Sequence, residues 1–192
     1  MKQIKKIGES FFELKNVYAL AGLAMLLALR IVLGIFANGT LPFFGNNVKL
    51  SGAFLPIAIA GSMFGAVPGA IVGALGDILS FVVNPVGGSY FPGFTINGFL
   101  TGFIYGVFLY KNNITLSRVI IAWFVNALTV ETFLSALWLS ILYSASSGNT
   151  YGFYLYTRFI SQAVYCVPSI LLILGVGKIT AKIPMQKRLK RS

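Results

Sequence analysis

Four ionisable residues stand inside otherwise apolar stretches of the sequence: Arg30, Asp77, Glu131 and Arg158. A charge near the middle of a membrane helix costs about 2.5 to 3.5 kcal/mol on insertion scales, so intramembrane charges are candidates for a binding or transport site. An arginine can bind a carboxylate through two parallel hydrogen bonds, and a carboxylate can accept hydrogen bonds from the N–H groups of a heterocycle. The set therefore predicts an outward-facing pocket for a small polar ligand.

The same four charges permit a second interpretation. Two cations and two anions at similar depth can neutralise each other as buried ion pairs that hold a helix bundle together. The chain would then be a ligand-free membrane scaffold. The sequence leaves both interpretations open.

Other side chains could complete a pocket, because binding sites combine aromatic walls with a few polar groups. The polar candidates are Asn97, Asn126 and Ser135. The aromatic candidates are Tyr90, Phe91, Phe94, Trp138 and Tyr143. Taken singly, each aromatic residue is more typical of packing or of an interfacial anchor than of a ligand contact.

Several kinds of chemistry are excluded by composition. The sequence contains no histidine, so histidine-ligated haem or zinc and Ser-His or Cys-His hydrolases cannot be built. No GxxxxGK[ST] loop is present to bind ATP. Cys166 is the single cysteine and cannot form an intramolecular disulfide. We expect neither an enzyme nor a metal or cofactor site.

The elements that carry these residues are membrane helices. The chain is 57% hydrophobic and 10% charged, with a mean hydropathy of +0.83. Apolar runs predict spans at about residues 17 to 37, 52 to 65, 67 to 83, 95 to 110, 118 to 143 and 155 to 177. The prediction is an all-α membrane protein with six transmembrane helices, forming one transmembrane domain over residues 1–192.

The charges predict the orientation of these spans. The sequence has fifteen Lys and Arg residues but four Asp and Glu residues, which gives a net charge of +11. Most of the basic residues lie in short tails at 1–16 and 178–192. Basic segments beside membrane spans remain on the inner side, so both termini are expected to be cytoplasmic. Nucleic acid is not an expected partner, because the basic residues do not alternate with an aromatic stacking surface.

Small residues recur at four-residue spacing, which allows helices to approach closely in a membrane. Two glycine rows, read as internal packing, comprise Gly65, Gly69 and Gly73, then Gly98, Gly102 and Gly106. A weaker row, Ala24 and Ala28, could pack inward or against another membrane protein.

Four segments of the sequence are distinctive: Leu55-Pro-Ile-Ala-Ile-Ala-Gly61, Gly73-Ala-Leu-Gly-Asp-Ile-Leu79, Asn84-Pro-Val-Gly-Gly-Ser-Tyr-Phe-Pro-Gly-Phe-Thr95 and Leu137-Trp-Leu-Ser-Ile-Leu-Tyr143. With them the sequence resembles one known family, the substrate-binding S components of energy-coupling factor (ECF) vitamin transporters, and within it the folate type. The resemblance covers nearly the whole chain. Span five departs from the folate pattern, because Ser135-Ala-Leu-Trp-Leu139 stands where Asn-Thr-Leu-Trp-Leu is usual.

The resemblance implies a six-helix bundle in the bacterial cell membrane, with an outward-opening pocket closed over by the first outer loop. It also implies three partners, a transmembrane coupling subunit and two ATPase subunits. Ala24 and Ala28 would face the coupling subunit.

For the site, the resemblance leads to the hypothesis that the chain captures folate or a reduced folate. Asp77 would meet the pterin N–H groups, with Asn97 nearby, and Glu131 would bind the pterin or pair with Arg30. The remaining candidates are ring-stacking aromatics and cations for the glutamate carboxylates: Tyr90, Phe91, Phe94 and Trp138, then Arg30, Lys49 and Arg158. Another vitamin, such as thiamin or riboflavin, is the alternative ligand.

Overall fold

The computed structural model describes residues 2–36, 38–40, 49–85 and 90–180. Its helices are α1 (Lys2–Glu13), α2 (Val17–Phe36), α3 (Phe54–Phe64), α4 (Ala66–Val83), α5 (Pro92–Leu109), α6 (Leu116–Asn126), α7 (Ser135–Ser147) and α8 (Tyr151–Thr180). A π-helical segment (Ala127–Leu134) joins α6 to α7, and two short strands, β1 (Asn38–Thr40) and β2 (Lys49–Ser51), pair antiparallel. Residues 41–48 of the predicted first outer loop (38–51), residues 86–89 of the second (84–94) and residues 181–192 of the C-terminal tail lie outside the described residues.

Helices occupy all six predicted spans, but one of them is short. Within the described part of the chain, five helical segments are long and apolar enough to cross a bilayer: Val17–Gly34, Ala66–Val83, Pro92–Leu109, Leu116–Ser144 and Tyr151–Thr180. The remaining helix, α3, has 11 residues. Eleven residues rise about 16 Å, roughly half of a hydrocarbon core. The chain is therefore a multi-pass helical membrane protein, and the sixth crossing remains a prediction.

Helix α3 lies in the centre of the bundle. Its residues from Pro56 to Phe64 are all buried, in contrast to the partly exposed helices around it. Two apolar clusters meet on it, one with α2 and α4 and the other with α5, α6 and α8. A helix that is apolar on every side is expected to be enclosed by other helices.

The predicted glycine rows bring the backbones of α4 and α5 into contact. A methyl group built on Gly73 would lie 1.9 Å from the carbonyl oxygen of Gly98, and one on Gly102 would lie 2.0 Å from that of Gly69. No side chain fits at such distances, so glycine is required on both helices. The interpretation of these positions as internal packing is confirmed.

Gly65 has a different role from the rest of its row. It separates α3 from α4 with a φ of 105°, a left-handed conformation that glycine adopts without strain. Ser10 of α1 packs here, because a methyl group on Gly65 would lie 2.3 Å from the Ser10 Cβ. Gly65 therefore ends α3 and leaves room for α1 to pack against it.

The predicted N-terminal tail contains helix α1, which is fastened to the bundle by polar contacts. The Tyr110 hydroxyl donates a 3.1 Å hydrogen bond to Glu13, and Lys111 forms a 3.2 Å ion pair with Glu9. Lys6 donates a 2.7 Å hydrogen bond to the side-chain oxygen of Asn112. Helix α1 thus joins the α5–α6 connection to the start of the chain.

Candidate functional site

A cavity of about 650 Å³ lies between the helices, and all four intramembrane charges line it: Arg30, Asp77, Glu131 and Arg158. The size falls in the range of sites that enclose small organic ligands, roughly 300 to 1,000 Å³. Residues from α2, α4, α5, the π-helical segment and α8 contribute to the wall. The bundle therefore directs its intramembrane charges toward one shared space.

These four charges interact through space without direct pairing. In residues 2–36, 38–40, 49–85 and 90–180, the ion pair present is Lys111 with Glu9, far from the cavity wall. Glu131 interacts electrostatically with Arg158 and Arg30, and Arg30 also with Asp77. Direct pairs are what a purely structural role would need. Their absence among the described residues disfavours the scaffold interpretation.

Asp77 is held by a chain of hydroxyl groups. The Thr95 hydroxyl donates a 2.7 Å hydrogen bond to one Asp77 carboxylate oxygen, and the Tyr90 hydroxyl lies 2.5 Å from the same Thr95 oxygen. The ring of Tyr90 packs against Phe81 of α4, with centroids 5.4 Å apart. One carboxylate oxygen is thus oriented by the protein at the cavity wall.

Asn97 forms a second polar group at the wall. Its side-chain amide donates a 2.8 Å hydrogen bond to Ser135, and its oxygen accepts a 3.0 Å hydrogen bond from the indole N–H of Trp138. Trp138 then packs against Phe91, with ring centroids 5.6 Å apart. Asn97 therefore ties α5 to α7 and fixes the tryptophan ring.

The π-helical segment explains how Glu131 reaches the cavity. Asn126, Glu131 and Ser135 all line it, although Asn126 and Glu131 are five residues apart. In an α-helix of about 3.6 residues per turn, residues five apart point to different sides. Hydrogen bonds from residue i to i+5 widen the turn and bring such residues nearer to one face, and π-helical turns are frequent at functional sites.

Six of the ten predicted ligand-binding residues line the cavity, namely the four charges, Phe94 and Asn97. Three others, Tyr90, Phe91 and Trp138, are not among the lining residues, and they contact Thr95, Phe94 and Asn97, respectively. Lys49 belongs to β2, and its side chain is outside the described part of the structure.

Sequence reasoning missed several polar residues of the cavity wall. On α5, Thr101 and Tyr105 follow Asn97 at four-residue intervals. On α8 a similar stripe follows Arg158, comprising Ser161, Gln162, Tyr165 and Ser169. A polar stripe at helical spacing in an apolar helix indicates a shared inward face. That signal was present in the sequence.

Comparison with known proteins identifies the group to which this architecture belongs. A family model described as the substrate-specific component of ECF transporters matches residues 19–181. The chain is 29% identical over 178 residues to the folate transporter FolT of Clostridium novyi (strain NT), an alignment that covers 93% of this chain and 98% of that relative.

The fold is similar to a solved structure described as FolT bound with folic acid. The TM-score is 0.71 at 30% identity, over 88% of this chain and 95% of that one. The buried charges, the cavity and the helical architecture agree with these matches. The chain belongs to the substrate-specific components of ECF transporters, which are membrane substrate-binding subunits and not enzymes.

Proposed function

We propose that this chain binds folate or a reduced folate from outside the cell and is the folate-specific subunit of an ECF importer. The observation that carries the proposal is the set of four charges lining one cavity without direct ion pairs among the described residues. The similarity to a folate transporter and to a structure with folic acid bound supports this ligand.

The chemistry of folate matches the cavity. Its pterin ring carries N–H donors, for which the oriented carboxylate of Asp77 is an acceptor. Its glutamate part carries two carboxylates, for which Arg30 and Arg158 offer bidentate hydrogen bonds. Glu131 offsets part of the positive charge of the arginines. Lys49 remains a further candidate for the glutamate carboxylates.

The aromatic residues fall into two roles in this proposal. Phe94 lines the cavity and stacks on a ligand ring. The other three aromatic residues support residues of the wall. Trp138 bonds Asn97, Phe91 packs against Trp138, and Tyr90 bonds Thr95. Asn97 contributes a polar contact from its fixed position.

We further propose that the whole chain is one transmembrane substrate-binding domain that crosses the bacterial cell membrane six times, with both termini in the cytoplasm. Transport requires a coupling subunit and two ATPase subunits. Ala24 and Ala28 are both exposed on α2, as a surface for the coupling subunit would need. The excess of basic residues near the termini supports the orientation.

Isothermal titration calorimetry with the purified full-length chain tests the ligand. We expect folate to bind at micromolar concentration or below with about one site per chain. Thiamin and riboflavin, titrated in parallel, are expected to give no heat of binding. Binding of either of these vitamins, together with no binding of folate, would overturn the folate assignment.

A further inference from the structure

The side chain of Arg30 lies in a notch between α2 and α4 that two glycines create. A methyl group built on Gly76 would lie 2.7 Å from Cγ of Arg30 and 3.4 Å from its Nε. A methyl group built on Gly34 would lie 3.2 Å from Nη1 of Arg30 and 3.4 Å from the hydroxyl oxygen of Ser80. The stem of the arginine therefore crosses Gly76, and its guanidinium end reaches the level of Gly34.

The guanidinium group in this notch lacks part of its hydrogen bonding. Nε of Arg30 is buried and has no hydrogen-bond partner among the described residues, and the hydroxyl of Ser80 is in the same situation. Buried charged donors are costly when unpaired, so native proteins rarely keep them without a reason. Arg30 also lines the adjoining cavity, where an anionic group of a ligand would bind the guanidinium and offset a charge that is under-bonded on its buried side.

The notch is not explained by packing between helix backbones. The methyl groups considered above meet side-chain atoms of Arg30 and Ser80, whereas those at Gly73 and Gly102 meet backbone atoms of α5 and α4. Glycine inside a helix is also less stable than alanine. Position 76 therefore keeps a glycine, which weakens the helix, where the three nearest atoms to an added methyl all belong to Arg30.

We propose that Gly76 and Gly34 are specificity-determining positions, because the notch holds the Arg30 guanidinium on the cavity wall near Asp77. A ligand then needs a carboxylate for Arg30 as well as hydrogen-bond donors for Asp77. This inference rests on the proposed function and adds the positions that set the location of its cationic group. Gly76 and Gly34 themselves act through Arg30 and touch no ligand.

A double-mutant cycle tests the inference. Folate affinity is measured by calorimetry for the wild type, Gly76→Ala, Arg30→Met and the double variant. We expect each single variant to bind about ten- to a hundredfold more weakly, the usual loss for a hydrogen bond to a charged group. The double variant should bind no more weakly than Arg30→Met, because the two positions share one interaction.

Two further glycine variants serve as comparisons. Gly34→Ala should cause a smaller loss than Gly76→Ala, because it meets the movable end of the arginine. Gly175→Ala, on α8 with nothing within 4 Å of the added methyl, should bind folate as the wild type does. The thermal unfolding midpoint of ligand-free Gly76→Ala should stay close to that of the wild type, since the helix preference of alanine offsets the displacement of the Arg30 stem.

Binding of a pterin without the glutamate part distinguishes a specific effect of the notch on Arg30 from general damage to the binding site. 6-Hydroxymethylpterin lacks carboxylates, so Gly76→Ala should bind it as well as the wild type does. Equal losses for this fragment and for folate, or additive losses in the double variant, would overturn the inference. Unchanged folate binding by Gly76→Ala would do so too.

Failure of the proposed function gives a different result, since wild-type protein would then not bind folate at all. In that case the cycle is run with biotin and pantothenate, two vitamins that carry a carboxylate. If one of them binds with the same pattern of losses, the inference about Gly76 and Gly34 is supported and the folate assignment is wrong. If the wild type binds no carboxylate-bearing vitamin, the inference falls with it.

Discussion

The hydroxyl of Thr95 donates a 2.7 Å hydrogen bond to the carboxylate of Asp77, which joins the first turn of α5 to the C-terminal half of α4. Thr95 stands in the first turn of α5, and Tyr90, in the segment just before this helix, extends the same chain of hydroxyls. The orientation of an intramembrane acid is thereby set by two hydroxyl groups from the start of α5 and the residues just before it.

Removal of this hydroxyl should weaken folate binding without unfolding the protein. We expect Thr95→Val, which preserves shape, to lower the affinity about tenfold, since a hydrogen bond to a charged group contributes roughly 1.5 to 3 kcal/mol and water replaces part of it. Calorimetry provides the measurement. Thr129→Val is the matched control, because the Thr129 hydroxyl bonds the carbonyl of Val125 on an exposed surface. Equal affinities of the two variants would contradict the role assigned to Thr95.

The backbone contact between α4 and α5 predicts a sharp difference between two conservative variants. Gly102→Ala should destabilise the protein by about 1 to 3 kcal/mol or more, since its methyl meets the backbone of Gly69 at 2.0 Å and neither helix can yield locally. Gly175→Ala faces open space and should leave stability unchanged or slightly higher. Thermal unfolding in detergent compares the two. A Gly102→Ala protein as stable as the wild type would show that the helices separate easily.

The attachment of α1 should depend on pH. Burial raises the pKa of Glu13 above its ordinary value, although the hydrogen bond from Tyr110 and the charge of Lys111 oppose this shift. The folded protein therefore binds a proton at Glu13 more tightly than the unfolded chain does, so stability falls as pH rises from about 4.5 through the raised pKa. Glutamine removes the titration but can still accept the hydrogen bond of Tyr110.

Glu13→Gln should accordingly have a flatter pH profile of stability than the wild type. The measurement is the thermal unfolding midpoint between pH 5 and pH 8. Glu9→Gln is the comparison, because Glu9 pairs with Lys111 at a more exposed position and its loss should change the profile little. A Glu13→Gln profile that parallels the wild type would contradict this account of the buried carboxyl.

The exposed alanines of α2 predict a partner surface. Ala28→Trp should prevent copurification with the coupling subunit, because a bulky residue keeps two helices apart, while folate affinity should remain close to that of the wild type. Ala163→Trp, an equally exposed alanine on α8, should copurify normally. If Ala28→Trp retains its partners, the surface lies elsewhere.

Much of this architecture can be predicted from the residues. Apolar runs of membrane length locate the helices, since nothing else satisfies their backbone groups in lipid. Glycine at four-residue spacing predicts the contact of α4 with α5, and buried charges predict the wall of the cavity. These patterns are local, so they can be recognised without knowing how the helices pack.

The remainder depends on which helix faces which. The hydrogen bond between Trp138 and Asn97 joins residues 41 positions apart, and no local sequence pattern predicts it. The notch around Arg30 requires knowing that Gly34 and Gly76 face each other across two helices. The π-helical turn at Ala127–Leu134 contains no glycine or proline that would indicate it. Tertiary packing decides all three features.

The direct backbone contact of α4 with α5 has a consequence for how such a protein can acquire new ligands in evolution. Because the two backbones touch at Gly69, Gly73, Gly98 and Gly102, these positions tolerate no larger residue, and the half of the site that holds Asp77 and Asn97 is inherited as a fixed frame. The polar stripe of α8 has no such restriction, since its residues can be exchanged one at a time. Descendants of this chain would change their preference through α8 and keep the frame.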